Sequence, residues 1–228
     1  MKKLFIYIII SCLLNSSNIL MAQFGFLDPT FGEGGLSMVQ IGYDNYSKVI
    51  FQSNGKITCT GNSFVIDRYT NDGSIDLSFG LKGRLFLTNK PGYAIGLAEF
   101  KNSNYIVTGW FVNSGSNYDI LTIKTKSDGS IDSSFGKNGI VTMDIDNYDY
   151  SEAMTIQTDE KIIVVGELGK NEYDDLRIFI ARFKPDGNID SSFGENGHVV
   201  TKFDKEVACE SVALQDDGKI LVGGTYNL

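Results

Sequence analysis

The chain has 228 residues, a formal net charge of −8, and 25 glycines against 3 prolines and a single histidine. An acidic balance with no Lys/Arg cluster excludes a nucleic-acid binder, because phosphate contacts need a basic surface. The Gly-rich, Pro-poor composition excludes a disordered linker and suits many tight turns between strands.

In chain order, the first element is a targeting segment. "MKK" is a basic start, "LFIYIIISCLL" an apolar run too short to span a bilayer, and "NILMAQ" offers a cleavage point after Ala22. Residues 1–22 are therefore expected to be a signal peptide for secretion or display at the cell surface, and 23–228 the mature repeat domain. "IISC" also resembles a lipobox that would lipidate Cys12, but apolar and small residues continue past it, which favours plain secretion. Of the other two cysteines, Cys59 in "KITCTG" aligns with Val107, Val164 and Val222. It reads as a small buried residue, and no disulfide with Cys209 is expected.

Two motifs then recur in phase. The first is "LDPTFGEGG", "IDLSFGLKG", "IDSSFGKNG" and "IDSSFGENG", whose phenylalanines Phe31, Phe79, Phe135 and Phe193 are spaced by 48, 56 and 58. The second is "KITCTG", "NYIVTG", "KIIVVG" and "KILVGG", ending at Gly61, Gly109, Gly166 and Gly224. Periods near 50 belong to arrays such as propeller blades. The repeats are placed at 27–74, 75–130, 131–188 and 189–228, the last incomplete.

Each unit reads as four short strands: the run after the last motif glycine ("LSMVQI", "RLFLTN", "IVTMDI", "HVVTKF"), a second run such as "SKVIFQ" or "EAMTIQ", the Lys-Ile run, and a fourth such as "FVIDRYT", "DILTIKT" or "RIFIARF". All are β-branched and aromatic, with no helical period after the first segment. In "IIVV" both faces are apolar, as expected of a strand between two neighbouring sheets. Asn-Gly and Asp-Gly turns ("SNGK", "DDGK", "NDGS", "SDGS", "PDGN") supply positive φ between strands. The fold class expected is all-β, a β-propeller-like array of four-stranded antiparallel blades.

The first motif reads as a structural clasp. Asp28, Asp76, Asp132 and Asp190, with the Ser or Thr two residues on, can hold an irregular connector through local hydrogen bonds. Phe31, Phe79, Phe135 and Phe193 would plug the seams between adjacent sheets. "PDGNIDSSFGENGHVVT", "SVALQDDGKILVGG" and "RIFIARFKPDG" together resemble the delta-sixty repeat, a propeller-type repeat of secreted and surface bacterial proteins, over essentially everything after residue 26. The resemblance implies fold and secretion, and it brings no catalytic residues. The second unit departs from it, since "LAEFKNSNYIVTG" lacks the Asp-Gly turn, so its hairpin is expected to differ. "KILVGGTYNL" stops before a fourth strand, which leaves an exposed strand edge and suggests a longer parent array with further repeats or domains.

Candidates for chemistry are few. His198 aligns with Leu36, Arg84 and Ile140, an ordinary strand position. The Asp-Gly-Ser-Ile-Asp turns lack the third ligand and terminal Glu of a calcium loop, so no metal and no cofactor is expected. Arg68, Lys124 and Arg182 recur in the fourth strand, where a basic residue would blunt an outer edge. Trp110 is expected in the core. The non-repeating loops, which a meander gathers on one face, hold Tyr43, Asp44, Asn45, Tyr46, Tyr93, Asn147, Tyr148 and Tyr150. Either these tyrosines fill the blade ends, or they form a ligand-binding face for a protein or a glycan. With no catalytic constellation visible, the function expected is a binding or presentation module and not an enzyme. The alternatives are a carbohydrate-active propeller and a passive spacer in a larger surface protein.

Overall fold

A computed structural model describes residues 26–38, 45–113, 115, 117–170 and 175–226. Residues 1–22, expected to be a targeting segment, lie outside these residues together with Cys12, as do Tyr43 and Asp44. The described residues form fourteen strands and no α-helix; no helix among them is long and apolar enough to cross a membrane.

The first sheet runs β1 (Tyr46–Phe51), β2 (Ile57–Gly61), β3 (Val65–Tyr69) and β4 (Arg84–Phe86), each antiparallel to the next. The second is β5 (Gly92–Glu99), β6 (Tyr105–Val112), β7 (Tyr118–Thr125) and β8 (Ile140–Met143). The third is β9 (Tyr148–Ile156), β10 (Ile162–Gly169), β11 (Arg177–Phe183) and β12 (His198–Lys202). Among the described residues, β13 (Val207–Leu214) and β14 (Ile220–Tyr226) make up the fourth. The sheets stand side by side, with β5 packed against both β1 and β9, and β13 against β9.

This arrangement shifts the phase of the sequence repeat. The strand that follows each clasp does not open a new sheet; it folds back on the strand before the clasp, as Ile66 opposite Leu85 and Ile180 opposite Val199 show. The sheets therefore straddle the repeat boundaries at 74/75, 130/131 and 188/189. The fourth sheet has two strands and not three, because His198–Lys202 completes the third. Of "LSMVQI", residues 36–38 are described and form no strand, and 39–41 lie outside the described residues.

Three seams hold the sheets together. Between the first and second pack Phe64, Ile66 and Phe79 against Leu97, Tyr105, Val107 and Leu121. Between the second and third lie Phe100, Ile106, Ile120 and Phe135 with Ile162, Val164 and Phe179. The third seam joins Ile163 and Val165 to Cys209, Val212 and Val222. Strand β10 thus sends alternate residues into two seams, and Ile162 to Val165 are all fully buried. Each such side chain contributes about 1.5–3 kcal/mol of burial. Cys59 and Cys209 are free, buried and in different clusters, and burial pushes both thiols up to about 12, which leaves them inert.

The clasp connects the third and fourth strands of one sheet, and a basic residue is its hub. The Arg68 N–H donates to the Gly83 carbonyl while the Arg68 carbonyl accepts the Asp76 N–H; Lys124 and Arg182 repeat both bonds with Gly139 and Asp132, and with Gly197 and Asp190. The side chains close the loop, Arg68 to Asp76 at 2.8 Å, Lys124 to Asp132 at 3.3 Å and Arg182 to Asp190 at 2.9 Å. These basic residues therefore do not guard an outer edge. They lie on β3, β7 and β11, each flanked by strands on both sides, and Arg68 is buried. The other clasp Asp oxygen takes both the N–H and the hydroxyl of the residue two on, as Asp76 does with Ser78 and Asp28 with Thr30.

The first three clasps also grip the next unit. The Gly32 N–H donates to the Asp72 carbonyl, and Gly136 repeats this with Asp186 at 2.7 Å. Gly73, Gly129 and Gly187 receive the rings of Phe31, Phe79 and Phe135 so closely that an added Cβ would lie about 3 Å from the ring. Phe79 and Phe135 are fully buried, whereas Phe31 and Phe193, on the two outer faces, are half-buried. The second unit's hairpin is a short 3-10 turn at Lys101–Ser103, with Asn102 and Ser103 at positive φ in place of an Asp-Gly turn.

Candidate binding surface

One end of the second and third sheets gathers five aromatic residues. The ring of Trp110 lies 5.0 Å from Tyr93, 5.0 Å from Tyr118 and 5.2 Å from Tyr150. Tyr118 stacks on Tyr150 at 4.8 Å and meets Tyr148 at 5.0 Å. Tyr93 is exposed and the other four are half-buried. Tilted and edge-on contacts dominate, as the ring quadrupoles favour.

Local backbone geometry delivers these rings to the end. Every inner strand (β1, β5, β9, β13) carries a bulge near its start, at Tyr46/Lys48, Ala94/Gly96, opposite Val165/Gly166, and at Cys209/Ser211. Opposite each bulge stands the last glycine of the second sequence motif. A Cβ at Gly109 or Gly166 would fall 1.8 Å from the carbonyl oxygen of Tyr93 or Tyr150, so only glycine admits the strand this close. That contact explains the recurrent glycine and places Tyr93 and Tyr150 at equivalent positions. Among the described residues, strands β7 and β9 pair here, through a bridge from Tyr118 to Tyr148 and a bond from the Tyr118 N–H to the Asn147 carbonyl.

Two carboxylates lie close by. Asp149 is fully buried and accepts the N–H groups of Ile145 and Asp146; burial, helped by Asp144 and Asp119, still raises it to about 7. Asp119 is buried too, accepts from the Asn113 amide at 2.8 Å, and is likewise raised by desolvation. Farther along, Glu152 is raised to about 7 by burial and by the charges of Glu167 and Glu210. A separate polar groove of about 470 Å³, lined by Asp175, Lys202, Asp204 and Glu206 among others, shares no residue with the aromatic group.

Of the residues proposed from sequence, Tyr93, Tyr148 and Tyr150 come together. Asn147 has an exposed side chain and serves the seam through its carbonyl. Asn45 is exposed on the first sheet, its carbonyl bonded to the Asn62 N–H. Tyr46 is elsewhere occupied. Its hydroxyl donates to Asp67, which is fully buried and paired with Arg84 at 2.6 Å, and burial raises the Tyr46 phenol well above its usual range. Trp110 is not a core residue; it is the hub of the aromatic group. Its equivalents after the motif glycine, Asn62, Glu167 and Thr225, are all polar. Tyr118 and Asp119 close the segment "NSGSNYD", and nothing in their spacing pairs them with β9.

The sheets, seams and clasps supply the setting for one comparison. A family model described as "Domain of unknown function (DUF5122) beta-propeller" matches residues 104–135 and 157–193. Each match starts in the connection between the first and second strands of a sheet and ends on a clasp phenylalanine. The two matched segments are similar to β-propeller repeats. The side-by-side sheets are accordingly propeller blades, with β1, β5, β9 and β13 as their inner strands and the aromatic group on one end of blades two and three. No curated protein matches the chain.

Proposed function

We propose that this chain is a secreted or surface-associated propeller module of the delta-sixty type that binds a glycan through the aromatic end of its second and third blades. The observation that carries this reading is the junction of Trp110 with Tyr93, Tyr118, Tyr148 and Tyr150, drawn from four strands of two blades. Flat rings offer apolar faces to the C–H faces of a sugar, and the exposed Asn147 side chain beside them offers a hydroxyl partner. The N-terminal segment supports export. The repeated residues are all engaged in clasps and seams, which leaves the non-repeating end as the variable part that a ligand would select.

Trp110 is the sole tryptophan, so its fluorescence reports directly on the surface. A glycan array followed by fluorescence titration tests the proposal. A saturable change in Trp110 emission, lost in Tyr93→Ala and Tyr150→Ala proteins that still fold, is the expected result. Capture of a protein ligand that these variants do not weaken would refute it, and so would an array with no hit.

A further inference from the structure

A buried acid stands at the root of the aromatic group. Asp149 lies on β9 between Tyr148 and Tyr150, is fully buried, and accepts the Ile145 N–H at 2.6 Å and the Asp146 N–H at 3.0 Å. Those bonds pin the connection from β8 to β9, whose Asn147 carbonyl takes the Tyr118 N–H at 3.2 Å. Strand pairing then brings further carboxylates to it. The Tyr118–Tyr148 bridge sets Asp119 of β7 alongside, and the register of Ile120 opposite Met143 carries on to Asp119 and Asp144. The nearby cations among the described residues are engaged elsewhere: Lys90 lies over the Phe111 ring at 3.9 Å and acts on Asp119, and Arg177 is paired with Asp146. The blade itself does not need this acid. Tyr93, Tyr150 and Ala208 face the motif glycines Gly109, Gly166 and Gly224, so Gly92 and Val207 hold the place of Asp149 in blades two and four.

We infer that Asp149 is a positioning residue for the aromatic group and makes the assembly of that surface, and so ligand binding there, depend on proton uptake. The ligand in this inference rests on the glycan-binding reading; the assembly of the rings does not. With a proton on Asp149, the junction holds a neutral group that still accepts from the turn, and Tyr148 and Tyr150 stay against Tyr118. Without it, a buried charge with neutral N–H donors as partners faces Asp119 and Asp144. The turn at 144–147 then releases, the start of β9 parts from β7, and its two rings leave Trp110. Burial, helped by the two neighbouring acids, raises Asp149 to about 7. Because Asp149 binds its proton more tightly buried than released, the closed arrangement is favoured below about pH 4 and is lost as pH climbs through about 7. A ligand lying across rings from both blades is therefore held more tightly in mildly acidic surroundings than in alkaline ones.

Trp110 emission of the ligand-free chain, followed from about pH 5 to about pH 8.5, tests this without any glycan. A single change centred at about 7 is expected. Asp149→Asn should abolish it, whereas Glu152→Gln, which removes the other carboxyl raised to about 7, should leave it in place. Asp144→Asn, at an exposed position, should shift the midpoint to lower pH because one repelling charge is gone, and this variant decides the matter if Asp149→Asn does not fold. A glycan captured on the array at about pH 5.5 should bind about tenfold more weakly at about pH 8. Emission that stays constant over this range overturns the inference. So does a change that survives Asp149→Asn, disappears in Glu152→Gln, or keeps its midpoint in Asp144→Asn. A captured glycan with the same affinity at both pH values overturns the link to binding. An array with no hit refutes glycan binding, while the Trp110 titration stands or falls by itself.

Discussion

Phe135 and Phe193 sit in motifs that differ by one residue, "IDSSFGKNG" and "IDSSFGENG", so an argument from sequence alone gives them equal weight. Their surroundings do not. Phe135 is fully buried in the seam with Phe100, Ile162, Val164 and Phe179, its ring against Gly187, while Phe193 is half-buried on the last clasp. Truncating a buried phenylalanine removes its transfer free energy and leaves a cavity, so Phe135→Ala should cost about 3–5 kcal/mol. The neighbouring ion pair will not offset that loss. Lys124 keeps Asp132 at 3.3 Å and still lies over Phe100 at 4.6 Å, so the cation gains nothing by the ring's removal. Phe193→Ala opens no enclosed cavity and should cost about 1 kcal/mol or less, a fraction of full burial. Urea unfolding followed by Trp110 fluorescence, beside circular dichroism for the whole array, measures both. Trp110 lies in the blade that Phe135 locks to the next one, so it senses that seam even where a repeat array unfolds in stages. Equal losses at the two sites, or a Phe135→Ala protein that unfolds like the parent, would refute the seam-plug reasoning.

Gly166→Ala should be destabilising by about 2 kcal/mol or more, because its Cβ would meet the Tyr150 carbonyl at 1.8 Å and force the bulge open; thermal melts check this, together with loss of the native Trp110 emission. Removing Arg84 (Arg84→Ala) should cost about 3–5 kcal/mol in the same melts, since Asp67 would be left as a fully buried charge without its guanidinium partner, and the neutral Tyr46 hydroxyl does not replace that charge. The pH dependence has a defined sign. Asp149 and Glu152, both raised to about 7, bind protons more tightly folded than unfolded, so stability present at low pH should be lost as pH climbs from about 4 to about 7. Asp190, held down to about 2 by Ser192 and Arg182, and Asp76, lowered likewise, contribute in the opposite sense, and that share is lost below about pH 4. Melting temperature should therefore peak near about pH 4–5, and Asp149→Asn should flatten the alkaline limb; a profile flat from pH 5 to 8 would contradict the burial of these groups.

Much of this protein is legible in its sequence because the governing interactions are local. The Asp-x-Ser/Thr bonds span two residues, and the Asp-Gly turns need only one glycine at positive φ, as Gly73, Gly129 and Gly187 have. Strand runs, the period and the seam-filling "IIVV" follow from side-chain pattern. What tertiary structure alone decided is which groups meet across long separations. The strand after a clasp can pair forward or back with equal local propensity, and it pairs back because the basic residue before the clasp holds both ends of it; this moved every sheet boundary and turned Arg68, Lys124 and Arg182 from edge residues into hubs. The aromatic group is the clearest case. Tyr93, Trp110, Tyr118, Tyr148 and Tyr150 come from four strands, and their meeting depends on how two blades pack and on bulges opposite Gly109 and Gly166. Backbone turns obey nearest-neighbour sterics and can be read residue by residue, whereas a surface built from two blades exists only once their shared core has set the angle between them.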